Sequence, residues 1–493
     1  MSDATDQGDQ RPRVVVIGAG ITGLAAAYEL AHQDQAPEVV LLESSARVGG
    51  NINTEHRDGY LIDGGPDSFV RTKPQATALV RELGLESELI TTATRGVFVV
   101  HQGQLELMPA GMALAVPTRL GPMLATPLLT LEGKARMLGD LLLPAGFGRT
   151  TAEEESIGAF LERRFGAEAK DILAGPLLGG IYAGDVDQLS LEATFPQLVS
   201  VELKHGSLIR GLFAAAQARA KASDGRQGLW QLLQWLRRDE QETPSPFYSL
   251  RRGMGALVDA LVDRLPAGTL RTQSPVESVT RHERRWRVEL RRGEVLGADA
   301  VILATPARVA ARLLDAPPLV SELDAISYVS TATVFLAYSR SEVAHPLNGV
   351  GFIVPRGQAR IIAATWVSSK WEGRAPEGCV LMRAFLGGTH DVVNVDERTD
   401  EELVEVSRTE LMKYQGHLGE PRFTRVFRYP RSNVQPVVGH AARCMRLKRL
   451  LKEQPGLLLA GGSYEGVGIP DCIQQGRATA QEALQLLPHA ITN

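Results

Sequence analysis

The first strongly patterned stretch of the chain is an apolar run, Val14-Val15-Val16-Ile17, that breaks at Gly18-Ala19-Gly20-Ile21-Thr22-Gly23. A stretch with helical character follows over Leu24–Gln33, and then a second apolar run, Val39-Val40-Leu41-Leu42, closed by Glu43. The order predicts strand, glycine turn, helix, strand. A third run, Val301-Ile302-Leu303-Ala304, is fully apolar, ends in Thr305-Pro306 and is expected as a buried parallel strand of the same unit. A fourth, Gly456–Ala460, leads into the glycine-rich loop Gly461–Asp471 and a closing helix over Cys472–Leu487.

Between these runs the pattern changes. Tyr60-Leu61-Ile62 reads as a strand before a second glycine turn, Asp63-Gly64-Gly65-Pro66-Asp67-Ser68-Phe69. Pro74–Leu85 reads as a helix and Gly96–Leu107 as a hairpin. Apolar spacings of three and four predict helices over Ile157–Arg164, Ala167–Leu173 and Leu208–Ala222. The polar stretch 223–245 reads as a loop or exposed hairpin-like insertion. Met254–Leu265 is a predicted helix, and Glu277–Thr280 and Arg285–Leu290 are short strands. Ala332–Tyr338, Gly351–Val354, Arg360–Trp366 and Val380–Leu386 predict a separate sheet, with a helix over Glu401–Tyr414.

The fold class is therefore α/β, with a discontinuous Rossmann-like nucleotide domain into which other units are inserted. The expected divisions are a disordered tail (1–12), a nucleotide domain in three parts (13–75, 246–320, 426–493), a mixed-sheet substrate domain in three parts (76–110, 191–245, 321–425) and a helical subdomain (111–190). A ligand site is expected where these units meet.

Composition narrows the chemistry. A chain of 493 residues with 44% hydrophobic positions can bury more than one core. Its 53 basic and 57 acidic residues leave a net charge of −4, which gives no electrostatic footprint for nucleic acid. The three cysteines, Cys379, Cys444 and Cys472, are far apart and make no metal spacing, and His32, His101 and His205 add none, so no metal is expected. The sparse cysteines fit a reducing compartment. The first residues lack a basic start and an apolar stretch, and the longest apolar run, Ile172–Ala183, is too short to span a bilayer. A cytoplasmic protein without a stable membrane span is expected, as monomer or homodimer.

The first turn carries the chemistry. In a strand–turn–helix, Gly18 permits the tight turn, Gly20 lets backbone approach a pyrophosphate, and Gly23 lets helix and strand pack closely. Ala19, Ile21 and Thr22 supply backbone N–H groups at the helix start, where the dipole favours phosphate. Glu43, at the end of the second strand, can accept from a ribose hydroxyl, and Ser44 adjoins it. The turn Arg47-Val48-Gly49-Gly50 follows directly, and a distant C-terminal loop contributes Gly462, Val467, Gly468 and Ile469. Two-ended clasping of a long cofactor suits FAD, with a helix N-terminus favouring negative charge on a reduced flavin.

These turns resemble the flavin amine oxidase superfamily. Within it, Gly64–Phe69, Gly175–Asp185, Leu189–Pro196 and Glu465–Ile473 resemble the porphyrinogen oxidases, and the resemblance covers nearly the whole chain. It implies an FAD domain, a mixed-sheet substrate domain and a helical domain that in mitochondrial members touches a membrane. It implies oxidation of a porphyrinogen in haem biosynthesis, with six hydrogens removed, molecular oxygen consumed and peroxide released. The stretches Ala93–Val97 and Met108–Thr118 resemble the Gram-positive type, which takes coproporphyrinogen III. The alternative is protoporphyrinogen IX, whose oxidases carry a propionate-pairing arginine; that slot falls near Val97 here, with Arg95 two residues away.

By the same resemblance, Gly65, Pro66, Asp67 and Ser68 join the cofactor site, and Val276 lays backbone against adenine. The Gly180 carbonyl is the implied catalytic group, orienting pyrrole N–H groups. Leu347, Ile362 and Phe385 sandwich the macrocycle. Arg71 and Arg95 are candidate propionate partners, with Lys73, Lys204 and His205 as further basic candidates. Rival readings are an amine oxidase, with Tyr464 near the right loop, and a non-catalytic porphyrin-binding flavoprotein.

Overall fold

The computed structural model describes residues 11–149, 154–223 and 245–487, so most of the expected tail and of the 223–245 loop lies outside the described residues. Five parallel strands form the first sheet, in the order Leu270–Arg271, Glu38–Leu42, Arg13–Ile17, Ala300–Leu303, Leu457–Leu459. Alternate side chains serve two cores. Val14, Val16, Leu41 and Ile302 face the helices Ile21–Ala31, Gly255–Asp263 and Ile469–Leu486, whereas Val15, Ile17, Leu42 and Leu303 face a three-stranded antiparallel sheet and the helix Ala307–Leu313. Burial on both faces is why these runs are apolar at every position.

The second sheet has seven strands, in the order Phe423–Gln435, Ser327–Ser339, Cys379–Gly387, Ala363–Trp366, Gly351–Ile353, Val97–His101, Gln104–Leu107. Only the pairing of Gly351–Ile353 with Val97–His101 is parallel. One face, bearing Val334, Leu336, Met382 and Ala384, is covered by the helix Asp400–Gln415 through Leu403 and Leu411. A reciprocal capping box between Thr399 and Glu402 starts that helix. The opposite face carries Thr333, Phe335 and Arg383 and looks toward the second glycine turn, because Thr333 and Arg383 both donate to the Gly64 carbonyl.

A third core is helical. It gathers Ile157, Phe160 and Phe165 of the helix Ile157–Phe165, Leu178 of Gly175–Tyr182, Leu198 of Pro196–His205 and Leu208 of Leu208–Ser223. The predicted helix Ala167–Leu173 runs on to Tyr182 through a π-helical turn, Lys170–Ala174. Pro176 accounts for the turn: it has no N–H to give, and its ring would strike a carbonyl in a regular ladder.

Three expected boundaries shift. Ala76, Leu79, Val80 and Leu83 pack in the core of the parallel sheet, so the first unit extends past residue 75. Leu191, Phe195, Leu198, Leu208 and Ile209 bury in the helical core rather than with the mixed sheet. The strand Phe423–Gln435 belongs to the seven-stranded sheet, and the boundary expected after residue 425 falls inside it. Pro430 hid that strand in the sequence; it is tolerated because the strand lies at the sheet edge.

Candidate active site

The first glycine turn sits at the carboxyl edge of the parallel sheet. Gly18 has φ +100°, and a Cβ there would lie 2.9 Å from the Ala304 carbonyl oxygen. A Cβ on Gly23 would lie 1.9 Å from the Gly18 carbonyl, so the helix is seated directly on the turn. The helix Ile21–Ala31 has no acidic residue in its first turn and no side-chain cap, which leaves its first N–H groups to an outside acceptor. The Ala19 N–H donates to Glu43 Oε2 at 3.0 Å, and the Ser45 N–H to Glu43 Oε1 at 2.9 Å. Glu43 therefore holds both ends of the turn region while Oε2 keeps lone-pair capacity for a hydroxyl donor.

The Arg47–Gly50 turn docks on the first. The Gly49 N–H donates to the Ala19 carbonyl at 2.8 Å. Arg47 spends its guanidinium on the carbonyls of Val48, Ile52 and Gly50, at 2.6–2.9 Å, and so acts as the turn's brace. Between the turns lies a cleft of about 360 Å³. Gly18, Gly20, Glu43, Ser44, Gly50 and Val276, six of the candidate cofactor residues, line it, and so do Ser274, Thr305 and Pro306. The cleft's size, its glycine backbone and Glu43 set among apolar walls fit the nucleotide half of a dinucleotide, and the residues present fit FAD there.

The second glycine turn is braced from the other sheet. A Cβ on Gly65 would lie 1.8 Å from the Asn51 carbonyl oxygen, so only glycine passes. Asp67 does not face the cleft with a free carboxylate. It accepts from Lys370 Nζ at 2.9 and 3.0 Å, Trp371 Nε1 at 3.1 Å and Ser68 Oγ at 2.7 Å. Burial alone would push its carboxyl up, but Lys370, Arg383 and these hydrogen bonds win and hold it well below the usual carboxylate range. Asp63, facing Arg374, goes the other way because burial dominates. Pro66 is half-buried between these groups.

The C-terminal loop comes in beside the helix Ile21–Ala31, where a Cβ on Gly461 would lie 3.8 Å from Thr22 Oγ1. The helix Ile469–Leu486 starts three residues before the predicted Cys472, with Gly468 before it and Pro470 in its first turn. It packs along Ile21–Ala31 so closely that a Cβ on Gly476 would lie 2.2 Å from the Thr22 carbonyl. Val467 contacts both the core around the parallel sheet and the helical core, and so marks where those units meet. Gln475, which the sequence reading missed, latches the loop: it donates to the Glu465 and Gly466 carbonyls and accepts from the Gly461 N–H. Gly462, at the start of this loop, sits over Val467. Cys472 is no nucleophile, since burial pushes its thiol up to about 11.

Gly180 lies near the end of Gly175–Tyr182, exposed, with open space where a Cβ would stand. Three carbonyls around it are taken. Gly179 accepts from the Gly184 N–H at 3.0 Å, Tyr182 from Gln435 Nε2 at 2.9 Å and Ala183 from the Thr389 N–H at 2.9 Å. Among the described residues, the Gly180 carbonyl has only a long contact of 3.4 Å, with the Ala183 N–H. It retains most of its acceptor capacity.

Of the predicted macrocycle residues, Ile362 and Phe385 are neighbours and Leu347 lies apart from them. Phe385 is half-buried on the face of the seven-stranded sheet that carries Arg383, whose guanidinium lies 4.3 Å from its ring centroid. Ile362 is half-buried and donates its N–H to the Phe385 carbonyl at 2.8 Å. Leu347 is a correction: it is 4% exposed and packs with Trp366, Met382 and Leu386 on the opposite face, so core packing explains it. Of the basic candidates, Arg71 donates to the Ser245 carbonyl and stacks on Tyr248, and Lys73 pairs with Asp471 at 2.6 Å. Arg95 is half-buried just before the strand Val97–His101. Lys204 and His205 end the helix Pro196–His205 beside Arg210. Tyr464, the rival aromatic, packs against the parallel-sheet core.

A helix N-terminus over a glycine turn, an acid at the second strand and a second clasp from the distant loop define a flavoprotein of the dinucleotide-binding type. Residues 21–484 match the pattern of the flavin-containing amine oxidoreductases, and the chain belongs to that family, as an oxidoreductase whose cofactor is FAD. Among curated relatives, it is 38% identical over 485 residues to coproporphyrinogen III oxidase of Bacillus subtilis (strain 168), covering 97% of this chain and 99% of that one. It is 31% identical to protoporphyrinogen oxidase of Homo sapiens, covering 97% and 99%. A crystal structure from Exiguobacterium sp. 255-15, provisionally assigned to the protoporphyrinogen oxidases, aligns with a TM-score of 0.83 at 32% identity over 97% of this chain and all of that one. Among the described residues, no helix is long and apolar enough to cross a membrane.

Proposed function

We propose that this protein is a porphyrinogen oxidase that converts coproporphyrinogen III to coproporphyrin III in haem biosynthesis, removing six hydrogens as three oxygen molecules become three of hydrogen peroxide. The full-length likeness to the Bacillus subtilis enzyme supports the substrate. The observation that carries the reading is the under-bonded Gly180 carbonyl at an open helix end, close to the engaged carbonyls of Gly179, Tyr182 and Ala183.

In this reading the parallel-sheet unit is the FAD domain, the seven-stranded sheet the substrate domain, and the helical core a third unit that presents Gly180. The first turn would hold the pyrophosphate, Glu43 the ribose and Val276 the adenine. Gly65–Ser68 and Val467–Ile469 would flank the flavin. When bound, FAD supplies a two-electron acceptor for a C–H bond and is reoxidised by oxygen. The protein's own part is to orient and to exclude water. The Gly180 carbonyl accepts from pyrrole N–H groups and fixes the ring without itself titrating. Phe385 offers an apolar face. No titrating acid or base is assigned, and Asp67 is excluded from such a role because its carboxylate is held ionised by Lys370 and Arg383.

The reading extends to a cytoplasmic enzyme, which the three free cysteines favour. Protoporphyrinogen IX is the second reading, since the human relative spans the same length. The test is a side-by-side fluorescence assay of both porphyrinogens, with and without oxygen. Faster oxidation of coproporphyrinogen III with peroxide release is expected. Preference for protoporphyrinogen IX reverses the substrate assignment, and oxidation of neither ends it.

A further inference from the structure

We propose that Arg356 and His390, gathered on Asp185, form a rim that binds a carboxylate of the substrate's periphery; the inference rests on the porphyrinogen reading and names the residues that would read its propionates. The three come from separate places. Asp185 follows the helix that carries Gly180. Arg356 lies in the loop after Gly351–Ile353, and His390 in the loop after Cys379–Gly387, the strand that carries Phe385. The Thr389 N–H, donated to the Ala183 carbonyl at 2.9 Å, ties the His390 loop to the end of the Gly180 helix. The rim therefore adjoins the Gly180 carbonyl through the backbone.

Asp185 is 10% exposed and is held from behind, its Oδ1 accepting from the Asp187 N–H at 3.0 Å. Its Oδ2 meets His390 Nε2 at 3.1 Å and Arg356 Nη1 at 3.8 Å. The second contact is beyond hydrogen-bond reach. Arg356 is 66% exposed, so its five donors can turn to an incoming carboxylate while Asp185 keeps the side chain near.

Other cations around the site are committed elsewhere. Arg47 braces a turn, Lys73 holds Asp471, Lys370 holds Asp67, and Arg383 is buried on the Gly64 carbonyl. Ile181, next to Gly180, is 55% exposed. An apolar helix surface edged by Arg356 and His390 suits a flat ring that is apolar in its body and anionic at its margin.

The experiment uses the full flavin-loaded protein and the double variant Arg356→Gln/His390→Gln, both exposed positions whose loss leaves the cores untouched. Steady-state oxidation of coproporphyrinogen III is compared with that of its tetramethyl ester, and coproporphyrin III binding is followed by fluorescence. For the acid, KM is expected to rise about ten-fold with kcat within about two-fold, as for loss of a charge-assisted contact. Product affinity should weaken in parallel, and the ester should respond to neither change. An unchanged KM and product affinity, or an equal loss for acid and ester, would overturn the rim while leaving the porphyrinogen reading intact. If the wild type oxidises no porphyrinogen, the functional reading falls, and the binding arm alone decides whether the rim takes carboxylates.

Discussion

Two buried charge clusters in this molecule look alike and do different things. Beneath the second glycine turn, Asp63 and Asp67 meet Lys370, Arg374 and Arg383. In the helical core, Asp140, Glu155 and Glu202 meet Arg163 and Arg164. The first has an excess of cations and adjoins the turn assigned to the flavin. The second has an excess of acids and joins helix to helix: Arg164, fully buried, donates to Asp140 Oδ1 at 2.6 Å and to the Pro144 and Gly206 carbonyls. A buried ion network is thus no marker of a site by itself. What separates the two is the element that each holds in place.

That contrast can be broken most forcefully from the helical side. Arg164→Met should cost about 3–5 kcal/mol in denaturant unfolding, because Asp140 is left buried with its main partner gone. The folded fraction should keep its full flavin content; loss of flavin from folded protein would erase the distinction. Lys370→Met should cost less, about 2–3 kcal/mol, since Asp67 keeps Trp371 and Ser68. Unlike Arg164→Met, it should weaken FAD retention, read by titrating apoprotein with the cofactor.

Acid sharpens the comparison further. The folded-state carboxyls of Asp67 and Glu202 both lie below their ordinary values, although burial opposes this in each. Stability from such a group is complete above its unfolded value, roughly pH 4 for Asp, and is lost as pH falls through the folded one. Asp67→Asn should therefore flatten the acid limb of the stability curve, with its full cost visible at neutral pH and a cost that shrinks steadily as pH falls below about 4. Glu43→Gln should be milder, weakening FAD binding about five-fold, or about 1 kcal/mol, because an amide oxygen can still accept from Ala19. Lys73→Ala, which removes a half-exposed partner of Asp471, should change stability by about 1 kcal/mol or less.

Much of the cofactor clasp was readable beforehand, and for a physical reason. Backbone that must turn at Gly18 or pass a carbonyl at Gly65 demands glycine, and glycine is visible in a sequence. The three runs Val14–Ile17, Val39–Leu42 and Val301–Ala304 were equally legible, since burial on both faces removes every polar residue. The braces were not. Lys370 and Asp67 stand 303 residues apart, and no local spacing announces a contact between them. Leu347 shows the converse error: an apolar side chain can face a ligand or a core, and in the irregular stretch before Gly351–Ile353 no periodicity tells which.

Because Gly476 is wedged against Thr22, the helix Ile21–Ala31 is clasped by one that the ribosome makes long after it. The phosphate-facing turn can fold early, but its partner wall arrives only once Ile469–Leu486 has been made. Capture of the flavin should then wait for that helix, and a nascent chain halted before Ile469 should emerge colourless.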